Sequence, residues 1–283
     1  MNTIKIPAFL LFGLLVWQPL HSQVLVNDNF NDGNRTNGGV GQLDWYAVKA
    51  ATTITMQSDN TTGPDEGVND GTLQITPTGM FIGMLVGNFG STTLSVGQSF
   101  VLSLDFRYIT APSTGSVFRF GLYNSNGSVT SADNNTSSGN DFGYRVQVAS
   151  NAPPSFVDES GAAPDVTSGS DSTAITGGTL SNMPALGTSS HRAVLTLTRA
   201  DVNTMTFGLS LNGSNLVSSG AYTDTSGAFF TFDEIAFGAG NSTNTYRIDN
   251  VNLEVIPEPS TYALLGLGLG ALWILRRKKT TLQ

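Results

Sequence analysis

Phe100-Val101-Leu102-Ser103-Leu104-Asp105-Phe106-Arg107-Tyr108 places a large apolar side chain at every second position. Residues two apart on an extended chain share a face. The stretch therefore predicts a strand that buries Phe100, Leu102, Leu104, Phe106 and Tyr108 and turns Ser103, Asp105 and Arg107 outward. Met205, Phe207, Leu209 and Leu211 repeat the period and run into Asn212-Gly213, a pair that accepts the left-handed backbone of a tight hairpin. Shorter runs cover Gly71 to Thr76, Ser116 to Tyr123, Phe142 to Val148, Arg192 to Thr198, Phe229 to Phe237 and Tyr246 to Val255. Polar turns such as Asn124-Ser125-Asn126-Gly127 and Asp133-Asn134-Asn135 separate them. No stretch between Gln23 and Ile256 keeps a helical period for more than two turns. Many short strands joined by glycine-rich polar turns predict an all-β fold, a jelly-roll β-sandwich. Residues 149–182 hold few apolar side chains and much Ser, Gly, Pro and Asp, and read as a long surface excursion.

Charge and cysteine content narrow the function classes. Between Gln23 and Ile256 stand eight basic residues, of which only Lys49 is a lysine, and twenty acidic ones, so this segment carries a net charge near −12. It has no basic stripe, and an acidic surface of that size argues against nucleic acid or anionic lipid as partners. Cysteine is absent. The fold therefore rests on its core rather than on disulfides, and thiol chemistry is excluded.

Both termini read as addresses. The C-terminal end runs Val255-Ile256-Pro257-Glu258-Pro259-Ser260-Thr261, then an uncharged span from Tyr262 to Leu275, then Arg276-Arg277-Lys278-Lys279. Pro257 and Pro259 fix φ and remove two backbone donors, so the segment before the span stays extended. A helix of fourteen residues reaches about 21 Å, short of the ~30 Å hydrocarbon core. Ser260, Thr261 and the snorkelling stems of Arg276 and Arg277 make up part of the difference, which gives a transmembrane helix over about 261–275 and a basic cytoplasmic stop. This tail resembles the PEP-CTERM protein-sorting signal of Gram-negative bacteria. The resemblance implies Pro257, Glu258 and Pro259 as the sorting motif and a membrane-embedded exosortase as the processing partner. At the other end Lys5 is the only charge in the first 27 residues, and Ala8 to Trp17 form an apolar run broken only by Gly13. Leu20 and Ser22 occupy the −3 and −1 positions of a cut before Gln23, the pattern of a secretory signal peptide over 1–22. The expected organisation is a signal peptide (1–22), an exported domain (23–256) and the sorting tail (257–283).

Val24-Leu25-Val26-Asn27-Asp28-Asn29-Phe30 and Tyr246-Arg247-Ile248-Asp249-Asn250-Val251-Asn252-Leu253 look like the first and last strands of exported jelly rolls. Arg192 to Arg199 followed by Met205 to Gly213 resembles the paired strands of concanavalin-A-like, laminin-G-like lectin domains. In such domains the terminal strands are neighbours, and an acidic residue from each helps hold a structural Ca²⁺. Counted by twos, Asp28 shares a face with Val24, Val26 and Phe30, and Asp249 shares one with Val251, Leu253 and Val255. An inward carboxylate needs a partner, so the resemblance makes Asp28 and Asp249 candidate calcium ligands, with Asn27, Asn29, Asn31 and Asp32 nearby as further oxygens. The family commonly has an acidic residue after the phenylalanine, where this chain has Asn31. The other reading of Asp28 and Asp249 is that they cap turns at strand ends and face water.

A catalytic set is hard to assemble. His191 is the one histidine between Gln23 and Ile256, and its neighbours Ser189 and Ser190 lie beside it on the chain rather than across a site. Paired carboxylates come nearest at Asp233-Glu234, which are adjacent and so point apart. Trp45-Tyr46, Tyr123, Tyr144 and Tyr222 stand next to polar turns and are candidates for stacking on sugar rings, although aromatics on such strands commonly fill the core. The expectation is an exported, exosortase-sorted protein of the cell surface or extracellular matrix, not an enzyme, with a structural or adhesive role. The alternative is a carbohydrate-binding module recognising an exopolysaccharide, and a more distant one an exported hydrolase. The membrane is a partner through the C-terminal helix before processing.

Overall fold

Along Phe100–Tyr108, Phe100, Leu102, Leu104, Phe106 and Tyr108 have no exposed surface; of the alternate residues Val101 and Arg107 are half-buried, while Ser103 and Asp105 are buried as well. The computed structural model of the chain describes residues 22–257, apart from residues 37, 49–51, 59–70, 78–82, 113–115, 135–136, 162–171, 179 and 241–243. The signal-peptide span, Glu258, Pro259, the transmembrane span and Arg276, Arg277, Lys278 and Lys279 lie outside the described residues.

Among the described residues the chain forms β1 (Gln23–Asp28), β2 (Trp45–Ala47), β3 (Thr52–Ser58), β4 (Gly71–Pro77) and β5 (Gly83–Thr93). Next come β6 (Ser99–Tyr108), β7 (Val117–Asn124), β8 (Phe142–Ala149), β9 (Ser155–Glu159) and β10 (Ser172–Ile175). The last five are β11 (His191–Arg199), β12 (Met205–Leu211), β13 (Ser214–Asp224), β14 (Thr231–Gly240) and β15 (Tyr246–Ile256). One sheet runs β13-β12-β11-β6-β15-β4-β3, with β1 also paired to β15. The other runs β10-β9-β8-β7-β14-β5-β2. Every pairing is antiparallel. This is a two-sheet all-β sandwich, in which each sheet buries one face against the other.

The terminal strands β1 and β15 are neighbours, and β12 pairs with β13 across Asn212-Gly213. Both turn residues have positive φ, 49° and 78°, as a two-residue hairpin of this hand requires. The alternation did not announce β2, β3, β5, β9, β10 and β13. Several of these lie at sheet edges, where only part of one face is buried and Thr, Ser and Gln serve as well as apolar residues. For residues 149–182 the structure corrects the surface-excursion reading: β9 pairs with β8, and β10 pairs with β9, extending the second sheet.

Aromatic rings join the sheets. Phe106 of β6 stacks on Phe118 of β7 at 4.4 Å between ring centroids, and Tyr246 of β15 meets Phe118 edge-on at 5.4 Å. Phe118 also faces Phe237 of β14. His191 closes one corner of this cluster. It is buried, its ring lies 5.6 Å from that of Phe106, and its Nδ1 faces the Asn212 amide at 3.1 Å. Burial lowers its pKa from the ordinary 6.5, because a charged imidazolium would lose its hydration there.

Two outcomes follow from this packing. Phe118→Ala removes the ring that bridges the sheets and should destabilise the fold by about 3–5 kcal/mol, read as a midpoint shift in chemical denaturation and a fall in Tm of roughly 10 °C. For His191, the unfolded chain takes up a proton as pH falls below the ordinary value of 6.5, while the folded chain stays neutral to a lower pH. Its contribution is present above that pH and is lost as pH falls toward the lowered folded value. His191→Gln should therefore flatten the fall in stability between pH 6.5 and 5, measured by denaturation at a series of pH values.

Candidate functional site

The polar chemistry of this sandwich concentrates on the outer face of the second sheet. Along β7, Phe118, Phe120 and Leu122 fill the core, which leaves Arg119, Gly121 and Tyr123 on the other face. The ladder β9-β8-β7-β14-β5 then lines up Glu159, Gly143, Tyr123, Glu234 and Asn88 in one row across the sheet. A second row brings Arg145 opposite Gly121, and a third sets Arg119 beside Gln147, whose amide oxygen accepts from Arg119 Nε at 2.8 Å. The glycine at 121 is required. A Cβ there would stand 2.0 Å from the carbonyl oxygen of Tyr144, so β7 and β8 approach closely only without one.

A loop covers this face. The described part of the segment after β7, residues 125–134 and 137–141, is held at three places before the chain enters β8. Ser125 donates its backbone N–H and its hydroxyl to Asp233, at 2.7 and 2.9 Å. Asn88 Nδ2 donates to the Thr130 carbonyl at 2.7 Å. Asp133 accepts from the Ala47 N–H at 2.9 Å and pairs with Arg35, which also donates to the Trp45 carbonyl. A 3-10 turn at Ser137–Asn140 then delivers Asp141 onto the face, where its carboxyl meets that of Glu234 within hydrogen-bonding reach. Asp141 is 1% exposed, and Glu234 and Tyr123 are 0% exposed.

The electrostatics follow from that burial. Loss of hydration pushes the Asp141 carboxyl up to about 7, against the lowering effect of its contact with Glu234. Glu234 rises well above the usual carboxylate range, first through burial and then through the charges of Asp141 and Asp233. Burial raises the Tyr123 phenol, and burial together with the neighbouring Arg145 lowers Arg119 to about 10. Beside them Arg145 and Glu159 form a buried ion pair at 3.1 Å, and Arg145 also donates to Ser172 at 3.0 Å. Two carboxyls in contact can share a proton or a cation. They sit closer together than the roughly 5–9.5 Å that separates the carboxylates of glycosidases, and no part of Glu234 or Tyr123 reaches the surface for a saccharide to touch.

The sites expected from the sequence are placed differently. Asp28 is buried at the end of β1 and spends its oxygens locally: it accepts from the Phe30 and Leu43 N–H groups, both at 3.2 Å, and from Trp45 Nε1 at 2.8 Å. It thereby holds Phe30 in a left-handed conformation, φ 55°, that a bulky residue rarely adopts. Asp249 does not share its face, which corrects the count by twos. Ile248 stands opposite Phe106 in the core and Asp249 opposite Asp105, but the register with β6 slips between Asp249 and Asn252, where Asn250 has φ 49°. This bulge reverses the phase, so that Val251, not Asp249, stands across from Asp28. On the outer side Asp105 pairs with Arg192 at 3.2 Å. Of the aromatic candidates, Trp45, Tyr123, Tyr144 and Tyr222 are buried, because each lies on a strand whose neighbours close over it, and only Tyr46 stays half-buried. His191 belongs to the core corner described above. Asp233 and Glu234 diverge, one to Ser125 and the other to Asp141. Sequence reasoning missed Asp141 and Asn88, since neither sits in a motif and their partners come from strands far away in the chain.

Comparison with known proteins bears on the fold and on the tail. No curated protein matches the chain in sequence. The globular domain of calreticulin from T. cruzi is similar in structure, with a TM-score of 0.52 and 12% identity over 92% of this chain and 100% of that domain. A conserved carbohydrate esterase from Shiga toxin-encoding bacteriophage phi24B aligns with a TM-score of 0.48 and 13% identity over 83% of this chain and 100% of its own. The cellulose induced protein Cip1 aligns with a TM-score of 0.47 and 16% identity over 81% and 96%. At 12% identity the likeness to the calreticulin domain is one of fold. Residues 255–279 match the family described as the PEP-CTERM protein-sorting motif. The chain carries that sorting signal, which marks an exported protein for processing by a membrane-embedded exosortase.

Proposed function

We propose that this is a non-enzymatic β-sandwich delivered to the cell surface or extracellular matrix of a Gram-negative bacterium, where it has a structural or adhesive role. The observation that carries the reading is the direction of its reactive side chains. The ionisable and aromatic groups that catalysis or sugar stacking would use, Glu234, Asp141, Tyr123, Tyr144 and Trp45, are turned into the protein and closed off. The outer face of the first sheet is instead half-exposed Thr, Asn, Gln and Arg, including Thr196, Thr198, Asn252, Gln74 and Arg247. These side chains hydrogen-bond broadly and offer no ring platform. A signal peptide over 1–22 and a transmembrane helix over about 261–275 deliver the domain, and exosortase acting at Pro257-Glu258-Pro259 releases or re-anchors it.

A lectin-like module for an exopolysaccharide is the second reading. The half-buried Tyr46 beside the Arg35–Asp133 pair favours it, as an aromatic ring next to polar groups suits a sugar edge.

Two measurements test these readings. Replacing Pro257, Glu258 and Pro259 together by alanine should leave the protein in the inner-membrane fraction and remove it from the surface; unchanged surface display would sink the sorting role given to these residues. Calorimetric titration of the full-length chain with the host's own exopolysaccharide should show no saturable heat. Saturable binding that Tyr46→Ala abolishes would replace the structural reading with the lectin one.

A further inference from the structure

We infer that Asp141 and Glu234 form a calcium site that fastens the 125–141 loop to the outer face of the second sheet. The sign of it is a set of buried oxygens that no donor serves. Apart from the contact between the two carboxyls themselves, both oxygens of Asp141, both of Glu234 and Oδ1 of Asn88 are shielded from solvent with no donor to serve them. Glu159 and Asp249 each leave one oxygen so but engage the other, to Arg145 and to the Asn250 N–H. Asp28 takes three donors, and Asp233 takes the N–H and hydroxyl of Ser125. Among the described residues, only here are both oxygens of a carboxyl without a donor, and here it holds for two carboxyls side by side.

A second observation comes from β7. Tyr123 is 0% exposed, stands directly across the ladder from Glu234, and its hydroxyl has no hydrogen-bond partner. Asn88 stands across from Glu234 on the other side, with its amide nitrogen already committed to the Thr130 carbonyl of the same loop. The amide oxygen is left as a ligand, and the phenol is placed to hold a water at the ion. The donor set is all oxygen, with two negative charges that match one divalent cation. Calcium takes six to eight oxygens at about 2.3–2.6 Å in irregular geometry and accepts amide and backbone carbonyls, whereas magnesium demands a near-octahedral shell and zinc prefers nitrogen and sulfur. His191, the one histidine between Gln23 and Ile256, pairs with the other sheet. Among the described residues no three His, Cys, Asp or Glu side chains converge. With two carboxylates the site falls in the weak range of extracellular modules, a Kd of about 10⁻⁴–10⁻³ M.

The site predicts a calcium-dependent Tm for the full-length chain purified in detergent. Calcium at about a hundred times the Kd should raise Tm by roughly 5 °C over the same protein in EDTA, and equal magnesium should raise it less. Asp141→Asn and Glu234→Gln should each abolish the calcium shift. They should remain folded in EDTA, because the new amide can donate to the remaining carboxylate. Asp28→Asn, whose carboxyl is engaged by Phe30, Leu43 and Trp45, should keep the shift. Terbium bound in place of calcium should emit on tyrosine excitation, and Tyr123→Phe should dim that emission. No calcium shift in the parent chain would overturn the site, and so would a shift that survives both Asp141→Asn and Glu234→Gln. A shift lost in Asp28→Asn instead would place the ion at β1. Variants equally stabilised in calcium and in EDTA would show that the pair shares a proton and holds no metal.

Discussion

The packing of Phe118 between the sheets is the contact on which the rest of this structure depends. The chain has no cysteine, so nothing covalent ties one sheet to the other. Phe118 meets Phe106 face to face and Tyr246 edge to face, two rings from the first sheet, and Phe237 from its own. Aromatic contacts of this kind add to the burial of apolar area, and their tilt fixes how the two sheets lie on each other. Every outward-facing residue of β7 is placed by that choice. Once Phe118, Phe120 and Leu122 point inward, Arg119, Gly121 and Tyr123 must point outward.

What is unusual is that the outward face is then buried a second time. A sandwich strand normally shows its alternate residues to water, yet Tyr123, Glu234, Arg145 and Glu159 are hidden. The cover includes the 125–141 loop, held by polar contacts to Asp233, Asn88 and Ala47 rather than by apolar packing. Burying charged groups is unfavourable unless they are matched. Arg145 and Glu159 match each other, and the Asp141–Glu234 pair is what makes a counter-ion at this spot physically reasonable. The same enclosure keeps Glu234 and Tyr123 from water and from any large solute.

The fold was legible in the sequence where a strand lies in the middle of a sheet. Central strands such as β6, β7 and β11 bury a full face, and their apolar period is strict. Edge strands such as β3 and β10 bury little, and Thr-Thr-Ile-Thr-Met-Gln-Ser carries no alternation to read. The bulge at Asn250 was equally silent. One residue in a left-handed conformation moved Asp249 to the opposite face from the one that counting by twos assigns, and with it went the pairing of Asp28 and Asp249. Nothing beside Asp141 in the chain points to its role, because its partner is 93 positions further along the chain.

By itself the sequence determined the all-β character, the hairpin at Asn212-Gly213 and the sorting tail with its Pro-Glu-Pro triplet. These are local matters: side-chain period, turn chemistry and a short linear motif need no distant partner to be read. Only the tertiary structure decided which acids meet, which aromatics are hidden and which face of the second sheet is covered. Those depend on register and bulges, where a slip of one residue exchanges the two faces of a strand, and on loops that bring together residues whose chain neighbours give no sign of it.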